Sequence, residues 1–345
     1  MSGRTGVETA RAVADAVLYE GYQPFPYLSG GPTQEAREAC GQVGVLAPPA
    51  FAAGVGEHSS CHAECLFEHE PGRGAGLVTD VDHQADLGVL RVRVRFRRLV
   101  DRSVWAGRRG GLAPVDAVRD PHGELRAWRE SAPCEQDVLV PLTDLLGTPG
   151  DPDPDPAPRT IPLVAPAGRE VLLTATPFAA PPPGGAWHPG AASQSSSAGE
   201  ALVASGRVVR AWHRLDAELC LSARWLPGPF RVARLYAELR NTSPWSPGPT
   251  TDGLAAPGAT ERAAARDEAL RRSLLAAHLV LYAPGWRFLS LTDPPWWAVT
   301  FTACCHNERA WPVLVSGDDH CHDDTVLAAP VVLTDHPRAT PGVVR

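Results

Sequence analysis

The chain contains no lysine: all 32 basic residues among its 345 are arginine. Every chemistry that needs a lysine amine is therefore excluded, including a P-loop phosphate lysine, a Schiff-base lysine and the paired lysine of a protein kinase. The richness in Ala, Arg, Gly and Pro points to the codon bias of a GC-rich genome as the source of this gap. Long apolar runs are also scarce. The best of them, 273–291, is broken by His278, Pro284, Gly285 and Arg287, and it falls short of the ~20 mostly apolar residues that a membrane span needs. The first residues (MSGRTGVETARAVADAV) show no apolar core of a secretory signal, so the expected location is the cytoplasm. Basic charge is not in excess either. A net charge of -7 argues against nucleic acid as the main partner, because phosphate binding needs a basic face. The Gly-x-Ser-x-Gly elbow, His-Glu-x-x-His, the EF-hand loop and a strand-borne Gly-x-Gly-x-x-Gly are all absent. Ser, His and Asp are abundant, but no spacing among them points to a triad.

What is present reads as an ordinary packed chain, 44% hydrophobic and 21% charged, long enough for two domains or one large one. Eight cysteines spread over this length suggest reduced thiols rather than a disulfide framework. Residues 5–18 repeat Val7, Ala10, Val13, Ala14, Val17 and Leu18 at helical spacing, and Gly21, Pro24 and Pro26 then end any helix. From there period-two patterns dominate. Residues 62–70 and 87–99 alternate, the second placing Leu90, Val92, Val94 and Phe96 on one face and Arg91, Arg93, Arg95 and Arg97 on the other. The expectation for those arginines is a solvated sheet face, offset by Glu64, Glu68 and Glu70 if the two strands pair. The strongest hairpin signal is 215–225 followed by a Leu-Pro-Gly-Pro turn and the alternation Ala233, Leu235, Ala237, Leu239. A short helix is expected near 260–272, a strand pair at 274–282 and 286–291 about Pro284-Gly285, and later strands at 297–303, 311–316 and 325–333.

The fold class this implies is mainly β, an antiparallel sandwich-like set of sheets with two or three short helices and long Pro/Gly-rich loops. The repeated Asp-Pro of 146–160 reads as a linker between an N-terminal β-rich region, 1–145, and a C-terminal one, 161–345. A second low-complexity stretch, 177–200, reads as a disordered loop.

Two Cys/His clusters raise the question of a transition metal such as nickel or zinc. In the first, Cys61 and Cys65 lie four residues apart. On a strand that spacing is about 13 Å, so one zinc with ~2.3 Å bonds to sulfur could reach both only if Cys61 sits in a folded-back loop. Small buried hydrophobes are the commoner fate of such thiols. In the second, Cys304, Cys305 and His306 are separated from the run Asp318–Asp324 by the strand expected at 311–316. Six strand residues span roughly 20 Å, so a shared site is not expected. His320, Cys321 and His322 remain a candidate for weak surface binding. Trp296 and Trp297 follow Asp293-Pro294-Pro295, and large aromatics of this kind are more often core than platform.

Several phrases together resemble a known family. They are VADAVLYEGY (13–22), GVLAPP (44–49), AEC (63–65), VRVRF (92–96), LPGPF (226–230), NTSPW (241–245), AAHL (276–279), SLTDPP (290–295), NE (307–308), WPVLV (311–315) and DHP (335–337). Their order and spread resemble an actinobacterial family of unknown function whose members are encoded beside high-affinity nickel–iron hydrogenases. The resemblance covers most of the chain outside the Pro-rich loops. It implies an accessory role, with hydrogenase subunits or their maturation factors as partners. Loops carry function more often than strands, so the candidate partner-binding residues are Tyr19, Glu20, Tyr22, Asp293, Pro294, Pro295, Asn307 and Glu308. The same residues also suit rigid turns and local capping. The reading that follows is a non-catalytic accessory protein that binds its partners. A metal-handling protein using Cys and His is the first alternative, and a hydrolase-like enzyme the second.

Overall fold

The computed structural model describes residues 5–20, 43–69, 87–108, 111–120, 123–147, 156–174, 206–246, 258–316 and 323–338. Tyr22, the run 320–322, the loop 177–200 and most of the Asp-Pro segment lie outside the described residues. From the N-terminus, helix α1 (Gly6–Ala14) runs into a π-helical turn (Asp15–Glu20), followed by α2 (Pro49–Val55). Strands β1 (Ser60–His69), β2 (Val89–Arg108), β3 (Gly111–Val115), β4 (Ala117–Asp120), β5 (Gly123–Arg126) and β6 (Trp128–Pro141) come next. Helix α3 (Thr143–Leu146) precedes β7 (Arg159–Ala165), β8 (Gly168–Thr174), β9 (Gly206–Trp212), β10 (Leu215–Trp225) and β11 (Val232–Asn241). The chain continues through α4 (Ala259–Leu270), β12 (Leu275–Tyr282), β13 (Trp286–Phe288), α5 (Val299–Thr302), β14 (Trp311–Leu314) and β15 (Thr325–Ala329).

The architecture is mainly β and antiparallel with few, short helices, as the alternating patterns predict. It divides into two compact units, one drawn from Met1–Arg98, Ala132–Pro166 and Arg214–Arg345, the other from Leu99–Ser131 and Ala167–His213. The regions 1–145 and 161–345 are interleaved in both units, because the ladders join residues far apart in sequence.

The first unit is a sandwich. One sheet has the order β13-β1-β11-β10-β7. Its centre is the expected hairpin, with Trp225 opposite Ala233 and Ala217 opposite Asn241. The other layer is formed by β14, β15, β12 and the Val89–Arg98 part of β2. Period-two alternation places Ala63, Cys65 and Phe67, Leu235, Ala237 and Leu239, and Leu219 and Leu221 on the inner face of the first sheet, in one core with Val92, Val94, Phe96, Leu279, Leu281 and Ala328. Each fully buried Leu or Phe of this kind contributes roughly 1.5–3 kcal/mol.

Helix α1 packs on the second layer. Thr5 and Glu8 form a capping box, the Glu8 N–H donating to Thr5 Oγ1 at 3.3 Å and the Thr5 N–H to Glu8 Oε2 at 2.9 Å. Val7, Ala10, Val13 and Ala14 then cover Val280, Val313, Val315 and Leu327. Gly6 permits the close approach: a Cβ there would lie 2.4 Å from Thr325 Oγ1.

Three expectations are corrected. Strand β1 pairs with β11 and β13, not with β2, so its glutamates do not face the arginine row. Strands β12 and β13 do not pair with each other. Gly285, at φ +82, turns the chain from one sheet into the other, where β13 pairs with β1 and β12 with β15 and β2. Residues 299–302 are a helical turn rather than a strand: the Ala298 N–H donates to Pro295 O at 2.8 Å and starts the turn just after the two prolines.

In the second unit the Leu99–Arg108 part of β2 pairs with β9 and β3, β9 with β8, and β4 with β5. Among its described residues, Leu99, Val100, Val104, Val208 and Val209 form the buried apolar interior. Arginine–aromatic contacts supplement it: Arg207 stands 4.7 Å from the Trp105 ring centre, and Arg102 the same distance from that of Trp128.

Candidate partner-docking surface

The described sequence candidates fall into four places in the first unit.

The first is interior. Arg95 is 2% exposed, although it lies on the row expected to face water. It donates from Nη2 to Asp15 Oδ1 at 2.7 Å, from Nε to Glu135 Oε2 at 3.1 Å and from Nη1 to Arg11 O at 3.5 Å. Strand β6 and the π-helical turn supply those carboxylates and cover the row. Arg93 next to it makes a two-pronged contact with Asp137, at 2.8 and 2.9 Å, and Asp137 is held well below the usual carboxylate range by the hydrogen bonds from Arg93 and Arg91. Tyr19 stacks edge-on against the buried His278, with ring centres 5.7 Å apart, and lies under the Arg95 and Arg97 guanidiniums at 5.2 and 4.8 Å. Burial pushes its phenol up to about 12. Tyr19 is therefore a core residue, not an exposed recognition residue, and Glu20 closes the same turn.

The second place holds Cys61 and Cys65. Both are fully buried on β1, in the main core. Burial pushes Cys61 up to about 12 and Cys65 well above the usual thiol value. The folded-back loop that a shared metal would require is instead a strand, and no group of three or more His, Cys, Asp or Glu side chains able to hold a metal occurs among the described residues.

The third is the loop after α5. The Asn307 side-chain oxygen accepts the Glu64 N–H at 2.7 Å, and Glu308 exchanges two 2.9 Å backbone hydrogen bonds with His62. The loop thereby covers an edge of β1 that would otherwise be open. The Glu308 side chain stays exposed, 3.5 Å from His58.

The fourth is built on β13, α5 and the β10–β11 turn. Asp335 ties the Ser290–Pro295 phrase down: its Oδ2 accepts from Ser290 at 2.5 Å and Thr292 at 3.2 Å, and its Oδ1 from the Leu314 N–H at 2.9 Å. The Asp293 N–H donates back to Ser290 Oγ at 2.8 Å, leaving the Asp293 side chain exposed before half-buried Pro294 and Pro295. The next residue, Trp296, is 85% exposed, a platform rather than the expected core residue. Trp297, next in the chain, packs on Leu66, Val232, Leu289 and Ala298 and stacks on Phe230, with ring centres 4.2 Å apart. Val299 and Phe230 are themselves exposed. The result is an aromatic ledge on a rigid base. Sequence reasoning weighed the two tryptophans together, and the signal it lacked was the turn at Pro295–Ala298, which points neighbouring residues to opposite sides.

Close by, Ser316 Oγ lies 2.8 Å from His336 Nδ1 and donates to Asp323 Oδ1 at 3.2 Å. His336 Nε2 in turn lies 3.8 Å from the same carboxylate, so Ser316, His336 and Asp323 form one side-chain cluster.

No family model, no curated protein and no solved structure matches the chain.

Proposed function

We propose that the protein is a non-catalytic accessory factor that acts by protein binding, in the cytoplasm, in the assembly, maturation or organisation of a nickel–iron hydrogenase. The hydrogenase part rests on the family resemblance. The protein-binding part rests on one observation, the exposure of Trp296 next in the chain to the packed Trp297, which stacks on Phe230. A tryptophan left in water at the tip of a braced loop has on the order of 200 Å² of surface to cover, and tryptophan is among the residues that dominate binding energy at interfaces. The ledge is held by Asp335 and the Phe230 stack, so little ordering entropy is lost on docking. The free thiols of the described cysteines suit a reducing compartment.

The test is affinity purification of the tagged full chain from cells expressing the hydrogenase operon, with mass spectrometry of the co-purifying proteins. Recovery of hydrogenase subunits or maturation factors with the parent chain, and their loss with Trp296→Ala, is the expected result. Equal recovery with both chains removes the ledge from the reading, and recovery of neither subunits nor maturation factors removes the hydrogenase.

A further inference from the structure

The outer face of the β13-β1-β11-β10-β7 sheet carries a cleft of about 530 Å³, lined by Glu64, Ser222, Arg224, Arg234 and Tyr236 and walled by Pro156–Pro158. The side chains follow from register: Glu64, Tyr236 and Ser222 form one row across β1, β11 and β10, and Arg234 stands directly opposite Arg224 in the next. Two like charges opposite each other on neighbouring strands repel. Elsewhere on this face an arginine has a close partner, as Arg240 has in Glu238 at 2.9 Å. The cleft is different. Arg234 is nearly buried, its side chain 11% exposed, and its one ion-pair contact among the described residues is Glu64 at 4.0 Å. Its Nε is buried without a hydrogen-bond partner. That Glu64 carboxylate is already engaged, accepting the His306 N–H at 2.8 Å. Tyr236 is turned away as a donor, its hydroxyl giving its proton to Glu238 at 3.2 Å.

A nearly buried guanidinium whose one ion-pair carboxylate among the described residues stands 4.0 Å away is under-paired, and its fork matches the oxygens of a carboxylate or phosphate. We infer that this cleft binds a small oxyanion between Arg224 and Arg234, with Ser222 as a further donor and Glu64 as the opposing group that disfavours ligands lacking a hydrogen-bond donor on that side. The inference does not depend on the accessory reading.

Isothermal titration of the full chain with inorganic phosphate and, separately, with citrate, at constant ionic strength, tests it. The expected result is saturable one-site binding of at least one probe. Phosphate alone or citrate alone identifies which oxyanion the cleft prefers. Arg234→Gln should weaken that binding at least tenfold, Arg224→Gln several-fold, and Glu64→Gln should tighten it. Arg214→Gln, which removes an exposed arginine held by Asp216, should leave it unchanged. If Arg234→Gln fails to fold by circular dichroism, Arg224→Gln, at an exposed position, decides the matter. No saturable heat with either probe, or equal weakening by Arg214→Gln and Arg224→Gln, overturns the inference.

Discussion

The Arg95 guanidinium lies 3.4 Å from Nε2 of His278. The other ring nitrogen, Nδ1, is 2.8 Å from Ala276 O, a partner that can only accept. This assigns the imidazole proton to Nδ1 and makes Nε2 the acceptor for Arg95. A second proton on the ring would place two cations side by side in the core. Burial and, after it, Arg95 accordingly push His278 down to about 3 from an ordinary 6.5. The folded chain keeps His278 neutral where the unfolded chain protonates it, so its contribution to stability is complete above pH 6.5 and is lost as pH falls toward 3. Between pH 7.5 and 5 the loss is about 2 kcal/mol. Urea titrations at the two pH values should show this difference in the parent and a smaller one in His278→Gln. An unchanged difference would mean that groups other than His278 set the acid response.

Arg95 and Arg91 sit on the same strand face, yet their removal should differ widely. Arg95→Leu takes the buried guanidinium from between Asp15 and Glu135, which keep Arg11 at 3.9 Å and Arg93 at 3.2 Å, and the lost charged hydrogen bonds should cost about 1.5–3 kcal/mol. Arg91 is partly exposed and shares Asp137 with Arg93, so Arg91→Ala should cost less than about 1 kcal/mol. Equal denaturation midpoints for the two variants would contradict the buried placement of Arg95.

Asn241 is fully buried, with every polar atom of its side chain satisfied. Its Nδ2 donates to Leu46 O and Arg272 O, both at 2.8 Å, and its Oδ1 accepts the Ser243 N–H at 2.8 Å. Asn241→Leu has the volume but strands the Arg272 carbonyl and the Ser243 N–H, Leu46 O keeping the Leu274 N–H at 3.0 Å, and about 2 kcal/mol should be lost in equilibrium unfolding.

These ties explain how much was legible in the sequence. Period-two alternation is a local signal, and it found β1, β2, β10 and β11 and their core faces. Pairing is not local. Nothing within 62–70 or 87–99 says that β1 belongs beside Val232–Asn241, or that the carboxylates for Arg93 and Arg95 arrive from β6 and from a π-helical turn. The arginine row was therefore expected in water. The loop candidates split for a similar reason. The Asp293 backbone serves as a local tie, one of the two roles weighed for it, while Asn307 reaches Glu64 on β1 and Tyr19 is drawn into the core by contacts with strands far along the chain. The Trp296–Trp297 pair was visible, but which of the two faces outward depended on a turn that hydrophobic pattern does not encode.

Thiol reactivity should follow the same division. Cys304 is exposed, whereas Cys61 and Cys65 are buried with raised pKa values. Brief treatment of the native chain with a maleimide at pH 7, followed by peptide mass spectrometry, should modify Cys304 and spare Cys61 and Cys65 until denaturant is added. Modification of either core thiol at the Cys304 rate would reopen β1 as a metal-binding segment.

Trp296→Ala separates stability from binding. Whereas Trp297 packs on Leu66, Val232, Leu289 and Ala298 and stacks on Phe230, the Trp296 side chain is 85% exposed. Its removal should therefore shift the unfolding free energy by no more than about 0.5 kcal/mol. Trp297→Ala, by contrast, takes a ring out of a packed cluster and should cost about 3 kcal/mol. If the ledge is the docking surface, Trp296→Ala should weaken partner binding by about 2 kcal/mol or more, roughly thirtyfold, measured by calorimetry or surface plasmon resonance with the partner recovered in the purification. An unaltered affinity in a stably folded Trp296→Ala chain would leave the exposed tryptophan without a binding role and direct the search to the Glu308–His58 side of the same unit.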